Sequence, residues 1–222
     1  MDPHNEHRKE FVRELERMAA RRDVVTVFGD AVGMMAAALS KVTSPDWDAA
    51  EREYRAIADR YTEDELAHVW VMFANVLAAL ELRRESFLGP ILEEIGAAAT
   101  HNGQFLTPAP LANLMARVNM ADVEPVPGKV ITLNDPACGA GVTLIAQAEM
   151  LMTEKHVPQR DIFIIGGDID KRACDMTFIE LSLLGYAARV DHEDALSHKT
   201  LSPSRYTFGY YLHGGAARFA KI

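Results

Sequence analysis

Three short stretches of this 222-residue sequence combine residue types that could do chemistry. The first is Asn134-Asp135-Pro136-Ala137-Cys138-Gly139-Ala140-Gly141. Glycines at such spacing let a backbone turn tightly and approach a ligand closely. A plain strand-to-helix turn has the same composition, so this stretch alone is a weak signal. The second is Gly166-Gly167-Asp168-Ile169-Asp170, whose first acid lies 27 residues after Gly141, the length of one helix plus one strand. A carboxylate at the end of a second strand can accept both hydroxyls of a ribose. Capping of the next helix, by Asp168 or by Asp170, is the competing reading. Glycine loop and acidic strand end together favour a ribose-bearing ligand. The third stretch is Asn102-Gly103-Gln104-Phe105-Leu106-Thr107-Pro108. Thr107 as N-cap and Pro108 at the first helical position would open a helix running to Val118. Phe105 is not needed for capping and offers an aromatic face to a base or a cation.

Other reactive residue types are sparse. Cys138 sits where a glycine loop wants a small residue, and it reads as packing rather than as a nucleophile. His101, His192, His198 and His213 read as solvated loop histidines. No Cys/His set has zinc spacing, so no metal is expected. Two cysteines, Cys138 and Cys174, in a chain of this length fit a reducing cytoplasm.

These stretches need elements to hold them. Residues 6–40 read as helical, with Gly29 and Gly33 weakening the second half. A polar amphipathic helix is expected over 46–60. Thr62 and Glu65 form a capping box for the next helix, which runs to about Arg83. That helix is apolar nearly all round and is expected to be the core of an N-terminal bundle. A short helix follows from Phe87 to near Ala99. Beyond residue 100 short strands alternate with helices: strand 130–133, helix 142–152, strand 162–165, helix 172–184 and strand 187–190. Such alternation means a parallel sheet with crossover helices. The expected organisation is a helical region over 1–99 and an α/β domain over 100–222.

Taken together, Gly103-Gln104-Phe105-Leu106-Thr107-Pro108, Asp135-Pro136-Ala137-Cys138-Gly139-Ala140-Gly141 and Asp168-Ile169-Asp170 resemble motifs X, I and II of the adenine-N6 DNA methyltransferases. The similarity is greatest to the modification subunit of type I restriction systems, and it covers roughly residues 85–196. It implies a partial Rossmann-like class I methyltransferase domain that binds S-adenosylmethionine or S-adenosylhomocysteine. Carried over position by position, Gln104, Phe105, Thr107 and Pro108 would border the methionine end of the cofactor. Gly139, Ala140 and Gly141 would cradle it from below, and Asp135, followed by Pro136, would face its amino group. Asp168 would take the ribose hydroxyls and Ile169 would pack on the adenine. Asp194 falls where motif III sits and would contact the adenine amino group, or serve as a solvated loop acid. Right-handed crossovers would put the cofactor at the carboxyl ends of strands one and two.

One motif of that family has no counterpart. Its methyl-transfer tetrapeptide, Asn/Asp/Ser-Pro-Pro-Tyr/Phe, holds the target amino group and stacks on the flipped base. The nearest fragments here are Ser202-Pro203-Ser204-Arg205 and Asn134-Asp135-Pro136, and neither has the second proline and the aromatic. No catalytic residue is therefore assigned. The chain is expected to be one component of a DNA methylation or restriction–modification system, or a regulator that keeps the pocket without catalysing transfer. Only 28 residues follow Asp194, and residues 206–212 are expected to add one strand. An edge near strand one or near the last strand would then stay open for a protein partner or a second copy. The acid-free segment 197–222 interleaves Lys199, Arg205, Arg218 and Lys221 with five aromatics. Aromatics packed on the sheet, with lysines guarding its edge, explain it better than single-stranded nucleic acid binding. A net charge of −9 argues against tight nonspecific DNA binding but leaves a local DNA contact open. The apolar run Val69–Leu80 is interrupted by Asn75 and falls short of a membrane span.

Overall fold

The structure, a computed structural model, describes residues 2–43, 46–97 and 107–219. Five helices come first: α1 (Pro3–Met18), α2 (Val24–Thr43), α3 (Trp47–Ala58), α4 (Glu63–Leu82) and α5 (Leu88–Ala97). The α/β part follows as α6 (Ala109–Met120), β1 (Ile131–Asp135), α7 (Val142–Thr153), β2 (Ile162–Asp168), α8 (Lys171–Leu183), β3 (Ala187–Asp194), β4 (Lys199–Tyr206), α9 (Phe208–Leu212) and α10 (Gly215–Phe219).

The sheet order is β1-β2-β3-β4, with β1, β2 and β3 parallel and β4 antiparallel to β3. Alternation along β2 decides what covers each face. Ile162 and Ile164 point into the large core shared by α7, α8 and the N-terminal helices. Phe163 points the other way and packs with Ala187, Tyr210 and Phe219. Its ring lies 4.7 Å from that of Phe219 and 5.9 Å from that of Tyr210. Of the tail aromatics, Tyr206, Tyr210 and Phe219 therefore pack on the sheet, while Phe208 and Tyr211 are exposed. The packed rings reach it differently from expectation: the added strand is β4 over 199–206, ending where a strand was expected to start, and residues 208–212 form the helix α9. Thr207 caps α9, accepting from the Tyr210 amide at 3.3 Å and donating to the Tyr186 carbonyl at 2.6 Å. A side chain at Gly209 would meet that same carbonyl oxygen at 2.5 Å, so the helix can lie directly on the backbone beneath it.

The capping box at Thr62 and Glu65 is present, with the Thr62 amide donating to Glu65 Oε2 at 2.8 Å. The central helix of the bundle, however, is α2 rather than α4. Val27, Phe28, Ala31, Val32 and Met34 to Ala37 are fully buried, whereas Trp70, Val71 and Leu77 of α4 remain exposed. Gly33 lets α3 pack closely on α2, because an atom added there would lie 2.9 Å from Ile57 Cδ1 and the Ile57 side chain would have to shift. Both α2 and α4 are long and apolar enough to cross a membrane by length and composition alone, and α2 spends that apolarity inside the bundle.

Bundle and sheet are locked together by an ionic cluster. Arg205 of β4 donates to Ser40 Oγ and to Glu53 Oε1, both at 2.6 Å. Lys171 at the start of α8 bridges Glu53 at 2.6 Å and Asp175 at 2.7 Å. Burial pushes the Asp175 carboxyl up, against the pull of Arg205 and Lys171.

Candidate functional site

The carboxyl ends of β1 and β2 are tied together by side chains. Asp135, the last residue of β1, turns back on the following loop. Its Oδ1 accepts the Ala137 amide at 3.1 Å and its Oδ2 accepts the Thr143 hydroxyl at 2.8 Å. The loop then passes over the end of β2, where the Cys138 amide donates to the Gly167 carbonyl at 2.9 Å. Gly139 and Gly141 hold φ of 54° and 74°, the left-handed region in which a side chain is strained. At Gly141 an added Cβ would also stand 3.0 Å from Thr177 Oγ1 of α8. Thr177 in turn donates to the Gly139 carbonyl at 2.9 Å. Glycine at 141 is thus required both by its backbone conformation and by the close packing of α8.

Asp168 joins the two strand ends. Its Oδ2 accepts the Gly139 amide at 2.9 Å and its Oδ1 accepts the Asp170 amide at 2.8 Å. Each carboxylate oxygen carries further lone pairs, and the residue is only half buried. The helix cap expected of Asp168 or Asp170 falls to Asp170, which accepts the Arg172 amide at 2.8 Å. Ile169 projects from the same corner and is 60% exposed, an apolar surface beside an acid.

The other expected residues divide. Pro136 lies in the loop, where its Cα would be 3.6 Å from a Cβ at Gly167. Ala140 is buried against the start of α5. Thr107 and Pro108 stand at the start of α6. Arg117 pairs with Glu154 at 3.0 Å and Lys155 donates to the Ala121 carbonyl at 2.9 Å, so α6 and α7 end side by side. Their starts therefore lie toward the loop that opens α7. Thr107 is not the N-cap expected of it: that position belongs to Pro108, with no side-chain cap, because Pro110 fits the first turn without needing a partner for its missing N–H. Gln104 and Phe105 lie outside the described residues. Asp194 is the last residue of β3, paired with Lys199 of β4, and it accepts the Leu196 amide at 3.0 Å and the Ser197 hydroxyl at 2.7 Å from the turn that follows.

Several residues that shape the site were missed. Thr143, Thr177 and Cys174, whose Sγ reaches the Asp168 carbonyl at 3.4 Å, hold the loop and the corner from below. Glu180 is fully buried in α8, and its Oε1 accepts the Phe87 and Leu88 amides at 2.7 and 2.6 Å, fixing the start of α5. Burial pushes its carboxyl up to about 7. The available signal was a pair of polar residues, Thr177 and Glu180, at helical spacing within an apolar run. His192 is no solvated loop histidine: it lies within β3 and both ring nitrogens have partners. Cys138 is buried, and that burial pushes its thiol up to about 12, which keeps it out of nucleophilic chemistry.

A glycine loop strapped across to an acidic strand end is the arrangement that the motif order had implied, and a family model for N-6 DNA methylase matches residues 90–209. The chain belongs to the N-6 DNA methylase family. The match includes the loop, the Asp168 corner and all four strands. Among solved structures, the chain is similar to a candidate class I S-adenosylmethionine-dependent methyltransferase from Listeria monocytogenes, at 15% identity and a TM-score of 0.47. That similarity covers 90% of this chain and 57% of the other. No curated protein matches the chain.

The family implies S-adenosylmethionine as cofactor, and the residues present fit it. Two left-handed glycines shape the loop, Gly139 within it is only partly buried, Asp168 has acceptor capacity beside it, and Ile169 offers an exposed apolar contact.

Proposed function

We propose that this chain is the S-adenosylmethionine-binding component of an adenine-N6 DNA methylation system, with a place in restriction–modification as its setting and the cytoplasm as its compartment. The observation that supports this reading is the Asp168–Gly139 tie, which brings a carboxylate at the end of β2 against the glycine loop that follows β1. When bound, the cofactor supplies an activated methyl group. The chain's own part is to bind and orient it: Asp168 for the ribose, Ile169 for the adenine, Asp135 and Pro136 for the amino-acid end, and Gly139, Ala140 and Gly141 beneath. The resemblance would assign Gln104, Phe105, Thr107 and Pro108 to the same end and Asp194 to the adenine side. DNA is the proposed methyl acceptor.

A second reading is favoured by one specific observation, the lack of the Pro-Pro-aromatic tetrapeptide in this sequence. In it the protein keeps the pocket and regulates, rather than performs, methylation. Incorporation of labelled methyl groups into unmodified DNA separates the two. Incorporation by the purified chain, alone or with a second polypeptide, supports the first reading. Saturable cofactor binding with no incorporation under either condition supports the second.

We also place a protein partner or a second copy of this chain at the β1 side of the sheet. Among the described residues β1 pairs only with β2, which leaves one edge open. Helix α6 buries Ala112, Ala116 and Met120, and on its opposite side it exposes Leu111, Leu114, Met115 and Val118. Four apolar residues on one outward helix face suit a contact with another chain.

A further inference from the structure

We propose that His192 is a positioning residue for the nucleoside end of the pocket, holding the Ile169 platform in place through its backbone carbonyl; this rests on the S-adenosylmethionine reading above. Ile169 is too exposed for its own packing to fix it. The corner must be held from elsewhere. His192 is the strand neighbour of Asp168 in the β2–β3 pairing. Its Nε2 lies 3.1 Å from the Ile169 carbonyl oxygen, and its Nδ1 lies 3.0 Å from Ser202 Oγ. A carbonyl can only accept, so Nε2 donates to it, while Nδ1 and the Ser202 hydroxyl share the second hydrogen bond. Ser202 is fixed opposite His192 on β4, between two register shifts that break the regular ladder there. Three residues further on, Arg205 anchors β4 to Ser40 and Glu53 of the bundle. The imidazole therefore transmits the position of β4 to the surface on which the adenine would rest, while Cys174 holds the preceding carbonyl.

The test is calorimetric titration of the whole chain and its variants with S-adenosylmethionine, S-adenosylhomocysteine and 5′-methylthioadenosine. His192→Ala is expected to weaken all three by a common factor of about fivefold, the worth of one hydrogen bond, with an unchanged melting temperature. His192→Gln, whose side-chain amide can still donate to the Ile169 carbonyl, is expected to recover most of that loss. Ser202→Ala is expected to fall between, and it carries the test alone if His192→Ala does not fold. Wild-type affinity in both His192→Ala and Ser202→Ala overturns the proposal, as does an equal loss in the Ala and Gln variants of His192. Failure of the unsubstituted chain to bind any of the three overturns the cofactor reading itself, and this inference with it.

Discussion

Asp168 Oδ2 accepts the Gly139 amide at 2.9 Å, which straps the end of β2 to the loop that leaves β1. One carboxylate thus does two things. It fixes the distance between two strand ends, and it presents its remaining lone pairs at the lip of the loop. Loss of Asp168 removes both.

Asp168→Ala is expected to weaken S-adenosylmethionine binding at least tenfold, because a hydrogen bond to a charged acceptor is worth about 1.5–3 kcal/mol. Asp168→Asn keeps one acceptor oxygen and should lose less. Ultrafiltration with labelled cofactor measures both, and equal affinity in the Ala variant and the parent would show that this acid takes no part.

The glycine loop gives a paired test. Gly141 holds φ +74°, and a Cβ added there would stand 3.0 Å from Thr177 Oγ1, whereas Gly96 in α5 has open space around it. Gly141→Ala is expected to destabilise the chain by about 1–3 kcal/mol and to impair cofactor binding. Gly96→Ala should stabilise it by about 0.5–1 kcal/mol, as alanine does within a helix. Urea midpoints of the two variants should move in opposite directions, and a shared direction would contradict the packing described for the loop.

Glu180 predicts a pH dependence of stability. Burial raises its folded value from 4.5 to about 7. Between those values the folded chain holds a proton that the unfolded chain has released, so this group's contribution is full below about 4.5 and declines as pH rises to about 7. By linkage the decline amounts to about 3 kcal/mol. Glu180→Gln keeps an acceptor for the Phe87 and Leu88 amides and removes the titration. The variant's stability, measured in urea at pH 5 and pH 8, should fall less than the parent's. Parallel behaviour of the two would remove Glu180 from the account.

The exposed face of α6 predicts a change in association without a change in folding. Leu114→Glu combined with Val118→Glu touches residues that are 58% and 68% exposed, so the melting temperature should hold. Sedimentation velocity should show the parent self-associating, or capturing its partner polypeptide, and the variant failing to do so. Equal association in both would move the partner elsewhere.

The parts of this molecule that were legible in the sequence are those written in local pattern. The β-branched run at 162–165 becomes β2, the Thr62–Glu65 box starts α4, and the glycine loop and Asp168 meet as their spacing implied. What was not legible depends on which elements become neighbours. Gly33 argues against a helix when read locally, yet it is what lets α3 pack closely on α2 at Ile57. Thr207 reads as part of an aromatic strand, yet its hydroxyl finds the Tyr186 carbonyl and starts α9 instead. His192 acquires its partners only when β3 lies between β2 and β4, because Ile169 and Ser202 come from the two flanking segments. Thr177 and Glu180 stand out as polar residues in a buried helix, but the loops they hold lie 38 and 93 residues away.

The central claim is a working cofactor site at the joined ends of β1 and β2. Calorimetric titration of the purified chain with S-adenosylmethionine, run beside Asp168→Ala, tests it most directly. Saturable binding that is lost or weakened at least tenfold in the variant is the predicted result. No heat of binding from the parent chain at millimolar cofactor, with the chain folded by circular dichroism, would contradict it.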